Sequence, residues 1–267
     1  MFLHASVSEN SDLFGALSGG GGGTFGVVTA VMSKVHPNIP VSGANLTFSN
    51  MGLSQDQFYY AISIFHKSLP PFVDAGATAL WFFNRLNVTY GEHISVSDNS
   101  RASRVSTMLC NQKSLWGYIG QYGGRFILRS TVQDQNDNFT DAFRYINDNG
   151  GQIAILGLSV SKAVAGDVYN SVYPSWRDTL MDVTVSTSWN NTAPFADMIA
   201  DQTKMTTQFI PRLAALTLGG VFYGANYERL LLVKNKYDPH HRFFAITAVG
   251  SEFWTSDSKG RLCKTRS

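Results

Sequence analysis

The sequence predicts an α+β protein: an antiparallel sheet flanked by helices. Three observations support this. Alternating or continuously apolar runs recur at 41–49, 77–90, 125–132, 152–161 and 180–188, and alternation at period two is the mark of a strand with one buried face. Between them lie long segments whose apolar residues recur every three or four positions. No repeated strand–helix–strand crossover of the parallel-sheet kind is present.

The elements follow in order. Residues 1–9 read as a short strand remnant, and 12–17 as a short helix with Ser11 available as its cap. Residues 24–35 alternate through Phe25, Val27, Thr29, Val31 and Ser33 and read as a strand, ended by His36-Pro37. The prolines around 38–40 mark a boundary. After a strand at 41–49, Ser54-Gln-Asp-Gln57 supplies a capping box. Phe58, Ile62, Phe65 and Leu69 share one face of the helix it opens, and Pro70-Pro71 is expected to stop it. A buried strand holds Trp81, Phe82 and Phe83, and the polar, aperiodic stretch from Gly91 to about Gln112 reads as a loop.

Beyond it, 125–132 reads as a strand, and Phe139, Phe143 and Ile146 mark a helix stopped by Gly150-Gly151. Strands at 152–161 and 180–188 come next. Pro194 opens a helix reaching about Leu216, interrupted by Pro211. A last helix runs over 224–237 to Asp238-Pro239, then a short strand at 243–247 and a polar tail from Ser256.

The most unusual stretch is Gly19–Gly23, five glycines between apolar Leu13-Phe14-Ala16-Leu17 and Val27-Val28. A solvated linker has no reason to sit between two segments that must be buried. Without Cβ atoms the run allows close approach of another backbone or of a ligand. Gly21-x-Gly23-x-x-Gly26 matches the dinucleotide fingerprint literally, but that motif must open a helix after a strand, and here a strand pattern follows. A phosphate-binding P-loop needs a closing Gly-Lys-Ser/Thr, and this run closes Gly23-Thr24-Phe25.

Composition narrows the classes further. The chain has 267 residues, 44% hydrophobic and 15% charged, with net charge +2, which excludes the strongly basic signature of nucleic-acid binding. No apolar run reaches the roughly 20 residues that cross a bilayer, so no membrane span is expected. MFLHASVSENSD has neither the cationic start nor the long apolar core of a signal peptide. Cys110 and Cys263 give no metal-ligand spacing and at most one disulfide. His240-His241, adjacent in a turn with no third ligand nearby in sequence, reads as a surface turn, and no metal site is expected. Sequons at Asn45, Asn87, Asn138 and Asn190 are a weak signal, because such short motifs arise by chance.

The stretch DLFGALSGGGGGTFGVVT (12–29) resembles the end of the FAD-binding domain in the berberine-bridge-enzyme-like, PCMH-type FAD-linked oxidoreductases, the fungal set above all. Tyr223-Gly-Ala-Asn226-Tyr227-Glu-Arg-Leu230-Leu231, Lys234-Asn-Lys-Tyr237-Asp238-Pro239 and Ala248-Val249-Gly250-Ser251-Glu252 resemble its C-terminal motif. Gly123-Gly124-Arg125-Phe-Ile-Leu-Arg129-Ser130 and Asn170-Ser171-Val-Tyr-Pro174-Ser-Trp176-Arg177 resemble its middle. The matches are collinear and cover most of the chain, and what they resemble is the C-terminal portion of such an enzyme.

The resemblance implies a remnant of the FAD-binding domain at 1–37, a substrate-binding domain at 38–222, a motif returning to the FAD side at 223–255, and a tail at 256–267. It implies oxidation of a small organic molecule, of the secondary-metabolism kind, with FAD as cofactor and O2 as acceptor. It further implies that Gly22, Gly23, Thr24, Phe25, Gly26, Val27 and Val28 contact FAD, and that Asn226 and Tyr227 lie near the flavin ring. On local chemistry alone Asn226 is a helix cap and Tyr227 a core residue. Arg125, Arg129, Trp176 and Arg177 sit in recognisable segments, and for the arginines structural pairing is the default.

Departures from the family pattern matter as much. Nothing corresponds to the family's N-terminal domain with its histidine and cysteine flavin attachments, so the isolated chain is expected to hold FAD poorly. The family's Tyr–Asn–Glu tract is missing where Leu216-Thr-Leu-Gly-Gly220-Val-Phe-Tyr223 joins directly, so no catalytic base is assigned. Its upstream partner for the terminal cysteine is missing too, which leaves Cys263 expected as a free thiol. The alternative function is a non-catalytic remnant or interaction module that does not retain FAD.

Overall fold

Alternation along the strands decides where the sheet buries itself. In the computed structural model, which describes residues 2–35, 46, 48–83, 120–188, 192–217, 223–257 and 261–265, the elements run in the following order. They are α1 (Ser11–Leu17), α2 (Gln55–Asp74), β1 (Ala79–Phe83), β2 (Gly120–Leu128), α3 (Arg129–Asp134), α4 (Asn136–Asp148), β3 (Gln152–Gly157) and α5 (Lys162–Ala165). Then come β4 (Thr179–Ser188), α6 (Phe195–Lys204), a π-turn (Met205–Phe209), α7 (Ile210–Ala214), α8 (Tyr227–Tyr237), β5 (Trp254–Ser256) and β6 (Leu262–Lys264). The chain divides into two compact units, one of residues 1–37, 165–177 and 220–267, the other of 38–164 and 178–219.

The larger unit contains an antiparallel sheet in the order β1-β3-β4-β2. Ile153 and Ile155 of β3 and Met181, Val183 and Val185 of β4 all point to one face and are buried there. α2, α4 and the α6–α7 segment cover that face with Phe58, Ile62, Phe139, Phe143, Phe209 and Leu213.

α2 opens with the expected capping box: Gln57 N–H donates to Ser54 Oγ (3.2 Å) and Ser54 N–H to Gln57 Oε1 (2.9 Å). It does not stop at Pro70-Pro71 but runs to Asp74. Leu69 and Val73 remain buried on the same face, and that burial outweighs the lost amide donors. Gly76, at φ +91°, then ends it, with Ala77 N–H reaching Phe72 O.

β2 corrects the strand expected at 125–132: it starts at Gly120, ends at Leu128, and gives way to α3. Its glycines are packing residues rather than breakers. A Cβ on Gly124 would meet Val183 O at 2.5 Å, and one on Gly123 would meet Ile210 at 2.5 Å. Arg129 forms the expected ion pair, a fork onto Asp74 (2.6 and 3.2 Å), and Arg125 donates to Gly124 O (2.9 Å). The expected break at Pro211 falls one turn early, as the π-turn in which Ile210 N–H bonds Met205 O and which precedes the proline that lacks a donor. β3 stops at Gly157 rather than 161.

In the smaller unit three strand expectations fail. Residues 2–9 form irregular backbone and bends, with Ser6 N–H donating to Glu9 O at 2.7 Å. Residues 24–35 find no ladder partner among the described residues, and 243–247 is turn. A strand exists only by pairing, which sequence alternation cannot show. The tail instead forms the β5–β6 hairpin, Trp254 opposite Lys264. α1 is capped by Asn10 in a left-handed conformation (φ 45°), without a side-chain cap bond, so Ser11 is not the cap. Cys263 is exposed on β6, and Asn138 is exposed in the first turn of α4. Cys110, the loop read at 91–112 and the sequons at Asn45, Asn87 and Asn190 lie outside the described residues, as does most of the strand read at 41–49. Among the described residues no helix is long and apolar enough to cross a membrane.

Candidate functional site

The five glycines divide into two kinds. Gly19 takes φ +104°, and a Cβ there would stand 2.7 Å from Val172 N; on Gly20 it would stand 2.5 Å from Ala16 O and 2.7 Å from Leu230. Gly21 takes φ +99° and accepts from Thr24 twice, from N–H at 3.0 Å and from Oγ1 at 2.7 Å. Gly20 thus lies against Leu230 of α8, and Gly19 against the Val172 backbone. A Cβ on Gly22 would reach only Leu17 O at 3.9 Å, and at Gly23 and Gly26 it would meet nothing within 4 Å. That side of the loop is open. Among the described residues the backbone N–H groups of Gly22, Gly23, Phe25, Gly26, Val27 and Val28 have no hydrogen-bond partner.

A buried lysine sets the loop's orientation. Lys234, on α8 and 1% exposed, donates from Nζ to Thr24 O, to Asp238 Oδ2 (2.7 Å) and to Phe243 O (2.7 Å). Three acceptors match the three protons of an ammonium, so the charge is fully coordinated. Asp238 also accepts from the amides of Arg242 (2.9 Å) and Phe243 (3.0 Å). Burial alone would push its carboxyl up, but Lys234 and the two amides outweigh it and hold the pKa below the usual carboxylate value. In a trans peptide C=O and N–H point opposite ways, so a Thr24 carbonyl fixed inward turns the Phe25 N–H outward. The Phe25 ring (2% exposed) is buried with Leu13, Ala16, Leu230, Val233 and Val249.

Asn226 ends a 3₁₀ turn (Gly224–Asn226) at the N-cap position of α8, but its side chain does not cap the helix. Its Nδ2 donates to Val172 O (3.0 Å). Arg229, one turn on, grips Tyr169 Oη and Ser171 Oγ (both 2.8 Å), while Ser171 Oγ donates to Gly15 O (2.6 Å). Tyr227 donates its hydroxyl proton to Glu252 and accepts from Gly250 N–H (3.3 Å). Burial, reinforced by Glu252, pushes its pKa up to about 12. The neighbouring Tyr223, 6.3 Å away ring to ring, is shifted the same way by burial. Both hydroxyls are therefore neutral donors at ordinary pH, not bases.

The structure thus brings Gly22–Phe25 and the α8 start into one unit, while Val27 and Val28 are 78% and 47% exposed. Sequence reasoning missed Lys234, Asp238 and Arg229 as the residues that hold the site. The signal was the i,i+4 spacing of Lys234 and Asp238 across the end of α8. Of the two turn histidines, His240 is exposed, but His241 packs against Phe253 at 4.3 Å and is not a surface residue.

Comparison with known proteins sets this geometry in context. A family profile described as "Berberine and berberine like" matches residues 211–249. The FAD-linked oxidoreductase patO of Penicillium expansum is 34% identical over 98% of this chain and 54% of its own length. The VAO-type flavoprotein oxidase VAO615 of Thermothelomyces thermophilus is 31% identical, again over 98% and 54%. The crystal structure of VAO-type flavoprotein MtVAO615 from Myceliophthora thermophila superposes with TM-score 0.80 at 28% identity, covering 99% of this chain and 57% of that one. A berberine bridge enzyme structure shares the fold at TM-score 0.54 and 13% identity, covering 90% and 61%. The chain spans about half the length of the curated relatives it matches.

Proposed function

We propose that the chain is part of a berberine-bridge-enzyme-like FAD-linked oxidoreductase, an enzyme oxidising a small organic substrate of secondary metabolism. FAD, when bound, supplies a two-electron acceptor that O2 reoxidises. The observation that carries the reading is the open side of the glycine loop. Its unpartnered amides at Gly22, Gly23, Phe25 and Gly26 suit the carbonyl and phosphate oxygens of FAD, and no side chain stands in the way. Lys234, by holding the Thr24 carbonyl inward, keeps the Phe25 donor turned outward. The Tyr223 hydroxyl, a neutral donor, stands beside Gly21, and Asn226, held by Val172 and Arg229, lies at the start of α8 in the same unit.

Polypeptide 1–267 on its own, which spans about half the length of the relatives it matches, is expected to bind added FAD weakly. FAD fluorescence anisotropy tests the reading. Gly23→Val and Gly26→Val, which fill the open side, should weaken the weak binding several-fold or abolish it. Equal titrations for wild type and both variants would reject the loop as a flavin site.

A second reading, an interaction module without FAD, draws on one observation. Val27, Val31, Met32 and Val35 are 77–93% exposed in a row. Such a strip favours self-association, which gel filtration across a concentration series reports. A monomer at every concentration would count against it.

A further inference from the structure

In the smaller unit, residues 168–172 form a strap of irregular backbone between the end of α1 and the start of α8. The last carbonyls of a helix have no partner within it. At the end of α1, Phe14 O takes Ser18 N–H (3.0 Å) and Ala16 O takes Gly20 N–H (2.8 Å). The strap adds two more bonds through Ser171, which is fully buried. Its N–H donates to Ser18 O (2.8 Å) and its Oγ to Gly15 O (2.6 Å). The glycine run begins at this junction.

Arg229 holds the strap from the side of α8. Its Nη2 donates to Ser171 Oγ (2.8 Å), with Asn170 O at 3.3 Å and Asn226 Oδ1 at 3.5 Å, and its Nη1 donates to Tyr169 Oη (2.8 Å). All four acceptors are neutral. Arg129, Arg144 and Arg261 each pair with an aspartate. Arg229, half-buried, has no carboxylate partner among the described residues. A half-buried cation among neutral groups is a poor device for stability alone. It does fix one proton. A guanidinium only donates, so Ser171 Oγ must accept from it and direct its single proton to Gly15 O. Hydrogen bonds in series from a charged donor strengthen one another, so the charge on α8 tightens the grip on the end of α1.

We propose that Arg229 is a positioning residue for the glycine loop. Acting through Ser171, it fixes where α1 ends and so where the open amides of Gly22 and Gly23 stand. The inference deepens the flavin reading, and rests on it only for the identity of the ligand those amides face.

The test compares Ser171→Ala, Arg229→Lys and Tyr169→Phe at a temperature where each protein is folded. Arg229→Lys keeps the charge, and with it any attraction for anionic FAD, but loses the planar fork. Tyr169→Phe keeps the ring packed on Gly15 and removes only an acceptor of Arg229. In flavin-free protein, S171A and R229K should move the Gly22 and Gly23 amide signals in NMR spectra, and Y169F should leave them in place. In the FAD anisotropy titration, S171A and R229K should each weaken binding about tenfold. The double variant should weaken it no further, since both changes cut the same route, and Y169F should bind as wild type does. A loss of stability alone does not produce that split, because every titration uses folded protein. Unmoved glycine amides in S171A and R229K, equal shifts in Y169F, or R229K matching a wild type that binds FAD would each overturn the proposal. The expected amide shifts with no FAD binding by any of the proteins would uphold the positioning and reject the flavin reading instead.

Discussion

At the scale of single residues, Lys234 has the most to lose. Lys234→Met leaves Asp238 charged and buried and two carbonyls without their donor, a change that costs about 3–5 kcal/mol when one partner of a buried pair is removed. Denaturant unfolding should register that loss, and Lys234→Met with Asp238→Asn should cost less than the two single changes added. His66 makes a different prediction. It is fully buried, its ring centroid 5.1 Å from that of Phe139 and 5.4 Å from that of Phe143, and burial lowers its pKa to about 3. The unfolded histidine takes a proton near pH 6.5 and the folded one does not. Stability should therefore be complete above pH 6.5 and fall by up to about 1.4 kcal/mol per pH unit towards pH 3. His66→Met should flatten that slope. Asp182 has the opposite sign: its raised pKa opposes folding at neutral pH, and D182N should remove the penalty.

At the scale of elements, the glycine loop carries a contrast within a few residues. Gly20→Ala drives a Cβ to 2.5 Å from the Ala16 carbonyl and should destabilise by about 1–3 kcal/mol. Gly23→Ala meets nothing and has no positive φ, so its effect should be neutral or stabilising by up to about 1 kcal/mol. Thermal melts of the two variants separate packing glycines from open ones. The sequence could not make that division, since five identical residues differ only in what folds against them. It did announce the elements whose signal is local: the Ser54–Gln57 capping box and the Phe139–Phe143–Ile146 stripe both stand where expected. It misjudged elements decided from afar. Residues 24–35 alternate like a strand but have no ladder partner among the described residues, and the strand read from Arg125 starts at Gly120, with Gly123 and Gly124 inside it where α7 and β4 need the room.

At the scale of the whole molecule, the α+β class was legible because period two and period 3.6 alternate along the chain without crossovers. The knot joining Thr24, Lys234, Asp238 and Phe243 was not, because it links positions 210 residues apart through one ammonium. What the molecule does at this scale turns on whether the open amides of the glycine loop face FAD. Amide-resolved NMR of the protein titrated with FAD measures this most directly. The account predicts shifts at Gly22, Gly23, Phe25 and Gly26 and at the Asn226 side chain, with the Trp81 indole and Val183 unmoved. Shifts confined to the sheet, or none at millimolar FAD, would contradict it.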